Sequence, residues 1–173
     1  MSDDIREARR ITDETVKGIR DFTRRLRPPI LDDLGIVAAI SRMLADFSER
    51  TGTKSNFNLV GEDRRLPSDI ELTMFRTAQE AIRNVEQHAQ ATRVVITMTF
   101  SEENTVLEIS DNGVGFSIPA ATGDFEAGRH GHMGLISMQE RAESVGGKLE
   151  VNSTPTEGTR VTVSFPASSS AAR

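Results

Sequence analysis

The sequence predicts a two-layer α/β sandwich in which helices cover one face of a mixed β-sheet, preceded by part of a further amphipathic helix. Three observations carry this. Short runs of alternating apolar and polar residues recur along the chain, helical stripes stand between them, and glycine- or proline-bearing turns mark the joins.

The 173 residues leave room for one ordinary domain and a helical appendage, and 36% hydrophobic residues suffice for a single buried core. The longest uncharged apolar stretch falls far short of the roughly 20 residues a membrane helix needs, and no basic-then-apolar leader opens the sequence. The expectation is a soluble, cytoplasmic chain. The sequence has no cysteine, which excludes disulfides and thiolate metal sites. With 21 basic and 26 acidic residues and a net charge of -5, no nucleic-acid footprint is suggested. An anionic ligand would need local help from backbone amides, a metal ion or a few basic side chains.

In chain order, Ile5, Ala8, Thr12, Thr15, Ile19, Phe22 and Leu26 recur at alternating spacings of three and four, a heptad seam on a strongly charged helix. Pro28-Pro29 ends it, since proline removes a backbone donor and restricts the preceding residue. A second helix is expected from about Asp33 to Arg50, with Ile36, Ile40, Met43 and Phe47 on one side and Gly52 as C-cap. Lys54 to Val60 reads as a short strand closed by Gly61. Ser68 then stands as N-cap of a long helix whose stripe is Leu72, Phe75, Ala78, Ile82, Val85 and Ala89. Strands follow at Arg93 to Phe100 and Thr105 to Ser110, turned by Glu102-Glu103-Asn104. A Gly-rich loop from about Asn112 to Met133 leads into a helix from Gly134 to Val145. After the Gly146-Gly147 break come strands at Lys148 to Asn152 and Thr159 to Phe165. The Ala/Ser tail from 167 to 173 has the composition of a disordered segment.

Four segments carry chemistry. Glu80, Asn84 and His88 recur every fourth residue on a helix face distinct from the apolar stripe. An Asn amide oxygen can take one vertex of a Mg²⁺ octahedron, and a carboxylate one turn away can orient a metal-bound water or accept a proton. The same spacing also describes a plain solvated helix face. Asp111-Asn112-Gly113-Val114-Gly115-Phe116 follows a strand. An Asp there can accept a hydrogen bond from an exocyclic amine such as that of adenine, and Gly113 and Gly115 permit positive φ and close backbone approach to a flat base. An ordinary Asn-Gly turn is the other reading. Gly128-Arg129-His130-Gly131-His132-Met133-Gly134-Leu135 places glycines ahead of a helix N-terminus, where free amides face anions. Pro155-Thr156-Glu157-Gly158-Thr159 is a tight turn between the last strands, by itself an ordinary hairpin.

Taken in order, Glu80 to Ala89, Asp111 to Phe116, Gly131 to Leu135 and Gly158-Thr159 resemble the N, G1, G2 and G3 boxes of the gyrase and histidine kinase ATPase superfamily. The resemblance covers roughly Ser68 to Pro166. Leu26-Arg27-Pro28-Pro29-Ile30-Leu31-Asp32-Asp33-Leu34-Gly35-Ile36 is similar to the junction of dimerisation helix and catalytic domain in short-lid sensor histidine kinases paired with DNA-binding response regulators. The segment Gly134 to Gly147 is similar to the same subfamily. The resemblance implies a Bergerat-type ATP-binding fold, with residues 1–27 the end of a dimerisation helix, 28–52 the junction and first helix, 53–166 the catalytic domain and 167–173 a tail. It implies ATP and Mg²⁺ as cofactors, Asn84 as the Mg²⁺ ligand, Asp111 as the adenine reader and Gly113 and Gly115 as its backbone support. Gly131, His132, Met133, Gly134 and Leu135 would belong to the phosphate-facing lid, and Thr159 would lie close to the nucleotide. Glu80 matches the water-activating base of the hydrolysing relatives, a task a phosphotransferase does not need.

One departure stands out. Subfamily members commonly carry a basic residue before the N-box histidine, where this chain has Gln87, so that phosphate contact is missing unless Arg83 or Arg129 supplies it. His88, on the nucleotide face, is expected to touch phosphate or the metal shell, whereas His130 and His132 read as exposed lid residues. None of the three stands in the setting of the family's phosphoacceptor, so the acceptor is expected on a dimerisation domain outside this chain. The implied partners are that phosphoacceptor domain, a response regulator and, for the full-length kinase, a second copy. A membrane anchor elsewhere in that kinase is compatible with this. The rival readings are a hydrolytic or serine-phosphorylating relative on the same fold and a module that binds nucleotide without turnover.

Overall fold

The computed structural model of the protein describes residues 28–117 and 133–167; the heptad segment, His130, Gly131, His132 and the last six residues of the tail lie outside them. The elements are α1 (Pro29–Thr51), β1 (Lys54–Val60), α2 (Ser68–Asn84), a π-helical turn (Val85–Ala89), β2 (Arg93–Phe100), β3 (Asn104–Asp111), α3 (Met133–Glu143), β4 (Lys148–Thr154) and β5 (Gly158–Pro166). The five strands form one mixed sheet in the order β1-β2-β3-β5-β4, with β1 and β2 parallel and the other neighbours antiparallel. β2 has the bounds its alternation predicts. The other late strands run one or two residues further because cross-strand pairing, as in Val94 with Asp111 and Thr154 with Gly158, holds polar positions too.

The alternation decides which face is buried. Val94, Ile96 and Met98 of β2, Leu107 and Ile109 of β3, and Val161, Val163 and Phe165 of β5 all turn to one side. There they meet Ile36, Ile40 and Phe47 of α1, Met74, Ala78 and Ile82 of α2, and Ala142 of α3. Phe47 is 1% exposed, and burial of such a side chain contributes about 1.5–3 kcal/mol. The opposite face carries Asn58, Thr97, Glu108 and Arg160, the last two forming an ion pair at 3.6 Å. Residues 29–51 therefore share one core with the sheet.

Three local expectations are corrected. α1 starts at Pro29 rather than Asp33, because proline's fixed φ suits the first helical position; the helix then breaks at Gly35 (φ 80°, ψ -179°) before continuing. The N-cap of α2 is Pro67 rather than Ser68, with the Pro67 carbonyl accepting from Glu71 N at 3.0 Å. The long helix does not stay α-helical to Ala89: its last five residues widen into the π-helical turn and end at Gln90 in the left-handed region (φ 51°). Gly52 caps α1 as expected, at φ 72° and donating to the Ser48 carbonyl at 2.9 Å.

The start of α1 is tied to α2 by a buried carboxylate. Glu71, fully buried, accepts from Arg65 Nε at 3.0 Å, Arg65 Nη2 at 3.3 Å and Leu66 N at 3.2 Å. The same guanidinium donates to the carbonyls of Leu31 and Asp32, so one side chain joins three segments.

Candidate functional site

Strand parity creates the site. Asp111 and Thr159 share parity with the buried residues Ile109 and Val161, so both point to the helical side of the sheet at its very edge, where the strands outrun the helices. Asn84 ends α2, and Val85, His88 and Ala89 follow on the π-helical turn. Together with Ala81, the loop from Val114 to Ser117, and Leu135 of α3, these residues line a cavity of about 380 Å³. Its walls are apolar (Val85, Ile109, Phe116, Leu135 and Val161 among them), and its polar groups are few and placed apart: Asp111 deep in one wall, Asn84 and His88 on the helical rim, Ser117 and Thr159 beyond.

Among the described residues, Asp111 is held without a cation. Its Oδ1 accepts from Gly113 N at 2.7 Å and its carboxylate also accepts from the Thr159 amide. Burial pushes its pKa above the ordinary Asp value, and these two amide bonds partly oppose the rise. Asp111 also lines the cavity, and a carboxylate there can accept from an amine.

The loop after Asp111 is stitched down on both sides. Val114 N donates to Ala89 O at 2.8 Å, Thr156 N to Val114 O at 2.6 Å, and Phe116 N to Ser153 Oγ at 2.9 Å. Ser153 in turn donates to Gly158 O at 3.1 Å and shares a 2.9 Å bond with Thr159 Oγ1. The glycines serve this packing. A Cβ at Gly113 would strike Ala89 and stand 2.8 Å from Asp111 Oδ1, and one at Gly115 (φ 59°) would strike Thr154 O. They were expected to clear space for a flat base. In the structure they bring the loop against the π-helical turn and the β4–β5 turn. Asn112, read from the sequence only as a turn former, accepts from Thr92 N at 3.0 Å and Arg93 N at 2.8 Å, fastening the loop to the start of β2.

Of the expected site residues, Asn84, His88, Asp111, Gly115, Leu135 and Thr159 line the one cavity. Gly113 lies buried behind its wall. Glu80, one helical turn before Asn84, does not line it. Glu80 faces a neighbouring groove between α1, α2 and α3, as does Arg83. Gly134 sits in the first turn of α3 against the Glu80 side chain. Met133 begins that helix; Gly131, His132 and Arg129 lie outside the described residues. The sequence reading missed the apolar walls, of which Ile109 and Val161 were recoverable from strand parity, and it missed Ser153, whose role depends on a turn folding back and leaves no periodic signal.

The family described as "Histidine kinase-, DNA gyrase B-, and HSP90-like ATPase" matches residues 69–169. The signal transduction histidine-protein kinase/phosphatase DegS of Brevibacillus brevis is 31% identical over 163 residues, 94% of this chain and 40% of that protein. The sensor histidine kinase MctS of Rhizobium johnstonii is 37% identical over 153 residues, 88% of this chain and 32% of that protein. The chain thus spans less than half the length of these curated relatives. The histidine kinase domain of a blue-light activated histidine kinase from Erythrobacter litoralis shares the fold, with a TM-score of 0.58 at 20% identity, covering 76% of this chain and 60% of that one. With the cavity walled by the predicted boxes and more than half of the chain matched, the protein belongs to the family of histidine kinase-, DNA gyrase B-, and HSP90-like ATPases, a membership that implies ATP binding.

Proposed function

We propose that this chain is the ATP-binding catalytic domain of a sensor histidine kinase, which passes the γ-phosphoryl group of Mg-ATP to a histidine on a dimerisation domain for relay to a response regulator. The observation that supports it best is the single cavity that joins Asn84 and His88 with Asp111, Leu135 and Thr159, since these come from four separate sequence boxes. The residues fit the nucleotide. Apolar walls suit the two faces of adenine, and Asp111 presents an acceptor where adenine carries an amine and guanine a carbonyl. Among the described residues no three His, Cys, Asp or Glu side chains converge to cage an ion. A Mg²⁺ ion here would be held by Asn84 together with the nucleotide's own phosphate oxygens, where it would neutralise charge on the transferred group. His88, exposed and lining the same cavity, would meet a phosphate. The protein's contribution is positioning: the base is fixed at Asp111 and the phosphates are directed toward Asn84 and the start of α3.

The test is transfer from radiolabelled Mg-ATP to a separately supplied dimerisation domain. Label on that domain, stable in base and lost in acid, is the expected result, with the 173-residue chain alone remaining unlabelled on histidine. Acid-stable label would point to a serine-phosphorylating relative, and label on His88, His130 or His132 of the isolated chain would overturn the reading.

A further inference from the structure

Gly134 stands in the first turn of α3, where alanine is the better helix former, and its φ is not in the left-handed region. Its backbone therefore does not call for glycine, but its surroundings do. A Cβ at Gly134 would lie 2.5 Å from Glu80 Oε1, 3.4 Å from Glu80 Cδ and 3.5 Å from Glu80 Cγ, and these are its nearest neighbours. The carboxyl end of Glu80 thus occupies the space a Gly134 side chain would need. The next residue, Leu135, is 8% exposed and walls the nucleotide cavity, and one turn along α2 from Glu80 is Asn84 on that cavity's rim.

We propose that Glu80 is a positioning residue: pressed into the space left by the missing side chain of Gly134, it sets the distance between the α2 end that carries Asn84 and the first turn of α3 that carries Leu135. This rests on the ATP-binding reading but assigns Glu80 a role other than activating water. The carboxylate also lies at the first turn of α3, where the helix dipole favours a negative charge. Because the contact is made by the side chain's length and bulk, Gln can replace Glu80 and Ala cannot.

The test uses calorimetric ATP titration and thermal unfolding of the 173-residue chain with Gly134→Ala, Glu80→Ala, Glu80→Gln and the Gly134→Ala/Glu80→Ala double variant. In Gly134→Ala the new methyl displaces the Glu80 carboxylate, the free end of a flexible side chain, so ATP binding is expected to weaken about as much as in Glu80→Ala and no further. Removing Glu80 in that background should leave affinity within about threefold of Glu80→Ala alone, a non-additivity that marks direct contact. Glu80→Gln should bind ATP within about twofold of the parent. Additive losses in the double variant, or a Glu80→Gln variant that loses as much affinity as Glu80→Ala, would overturn the proposal. Unfolding temperatures read the same coupling without nucleotide, so a parent chain that binds no ATP would sink the functional reading while the contact remained testable.

Discussion

Two carboxylates at opposite ends of the sheet are treated in opposite ways. Glu71, at the start of α2, is completely buried and is given a guanidinium, a backbone amide and, through Arg65, a tie to the Leu31 and Asp32 carbonyls. Asp111, at the end of β3, is half-buried and receives backbone amides from Gly113 and Thr159 but no cation among the described residues, so burial raises its pKa. A carboxylate that holds the fold together comes with its countercharge, because an unpaired buried charge is costly. Asp111, proposed above to receive the nucleotide, would bear part of that cost until the ligand arrives. The contrast predicts that disturbing the first changes stability and spares binding, and that disturbing the second does the reverse.

The largest effect belongs to the first end. Arg65→Ala leaves Glu71 buried without its cation, and the expected loss is about 3 kcal/mol, toward the lower part of the range for broken buried pairs because Arg65 itself is 59% exposed. Urea unfolding should show this as a lower midpoint at unchanged slope, while ATP affinity of the folded fraction stays at the parental value. At the other end, Asp111→Ala should remove the bond to the adenine amine and cost about 1.5–3 kcal/mol of ATP binding, one to two orders of magnitude in affinity, with the preference over GTP lost. Calorimetry with both nucleotides checks it. Equal binding of ATP and GTP by the parent chain would remove Asp111 from the reader's role.

The same contrast explains what could be read from the sequence. Strand alternation and apolar stripes report burial against a sheet, so the elements of the core and the side of β3 that bears Asp111 were legible from period alone. The boxes announced Asn84, Asp111 and Thr159 through residue type and order. What stayed hidden depends on contacts between distant segments. Arg65 and Glu71 are ordinary charges in the sequence, and only the folded chain makes them partners. Glu80 and Asn84 share a helix face by spacing, yet the start of α3 lies between their destinations, so one reaches the cavity and the other the neighbouring groove. The π-helical turn was equally invisible, since Val85 to Ala89 continue the apolar stripe of an α-helix. The protein contacts of Gly113 and Gly134 were also hidden: a side chain would meet Ala89 and Asp111 in one case and Glu80 in the other.

Asn84 sharpens the comparison at the cavity end, because it is neutral and so needs no countercharge of its own. If it ligates Mg²⁺, Asn84→Ala should weaken Mg-ATP about tenfold while metal-free nucleotide changes by less than about twofold. Titrations with and without excess chelator separate the two. An equal loss in both would make Asn84 a structural residue at the end of α2.

The smallest effect concerns Asp111 and pH, and its sign follows from the direction of the shift. The folded pKa lies above the ordinary value of 3.8, chiefly through burial, so the fold favours the protonated form. The stability contributed by Asp111 is then fully present below 3.8 and is lost as pH rises through the raised folded value. Asp111→Asn can still accept from Gly113 N but has no proton to lose. Every other carboxylate is common to the two proteins and cancels in their difference. The unfolding free energy of the Asn variant minus that of the parent should therefore rise with pH across the acidic carboxylate range and level off toward neutrality, by a small amount because the group is only half-buried. Paired urea titrations at several pH values measure it; a difference that falls as pH rises would mean that the Gly113 and Thr159 amides outweigh burial. Saturating ATP should reverse the ordering at neutral pH, since the ionised carboxylate then holds the adenine amine and ligand binding adds stability to the parent alone. Glu71, already provided with its cation, should show no such reversal when Glu71→Gln is carried through the same measurements.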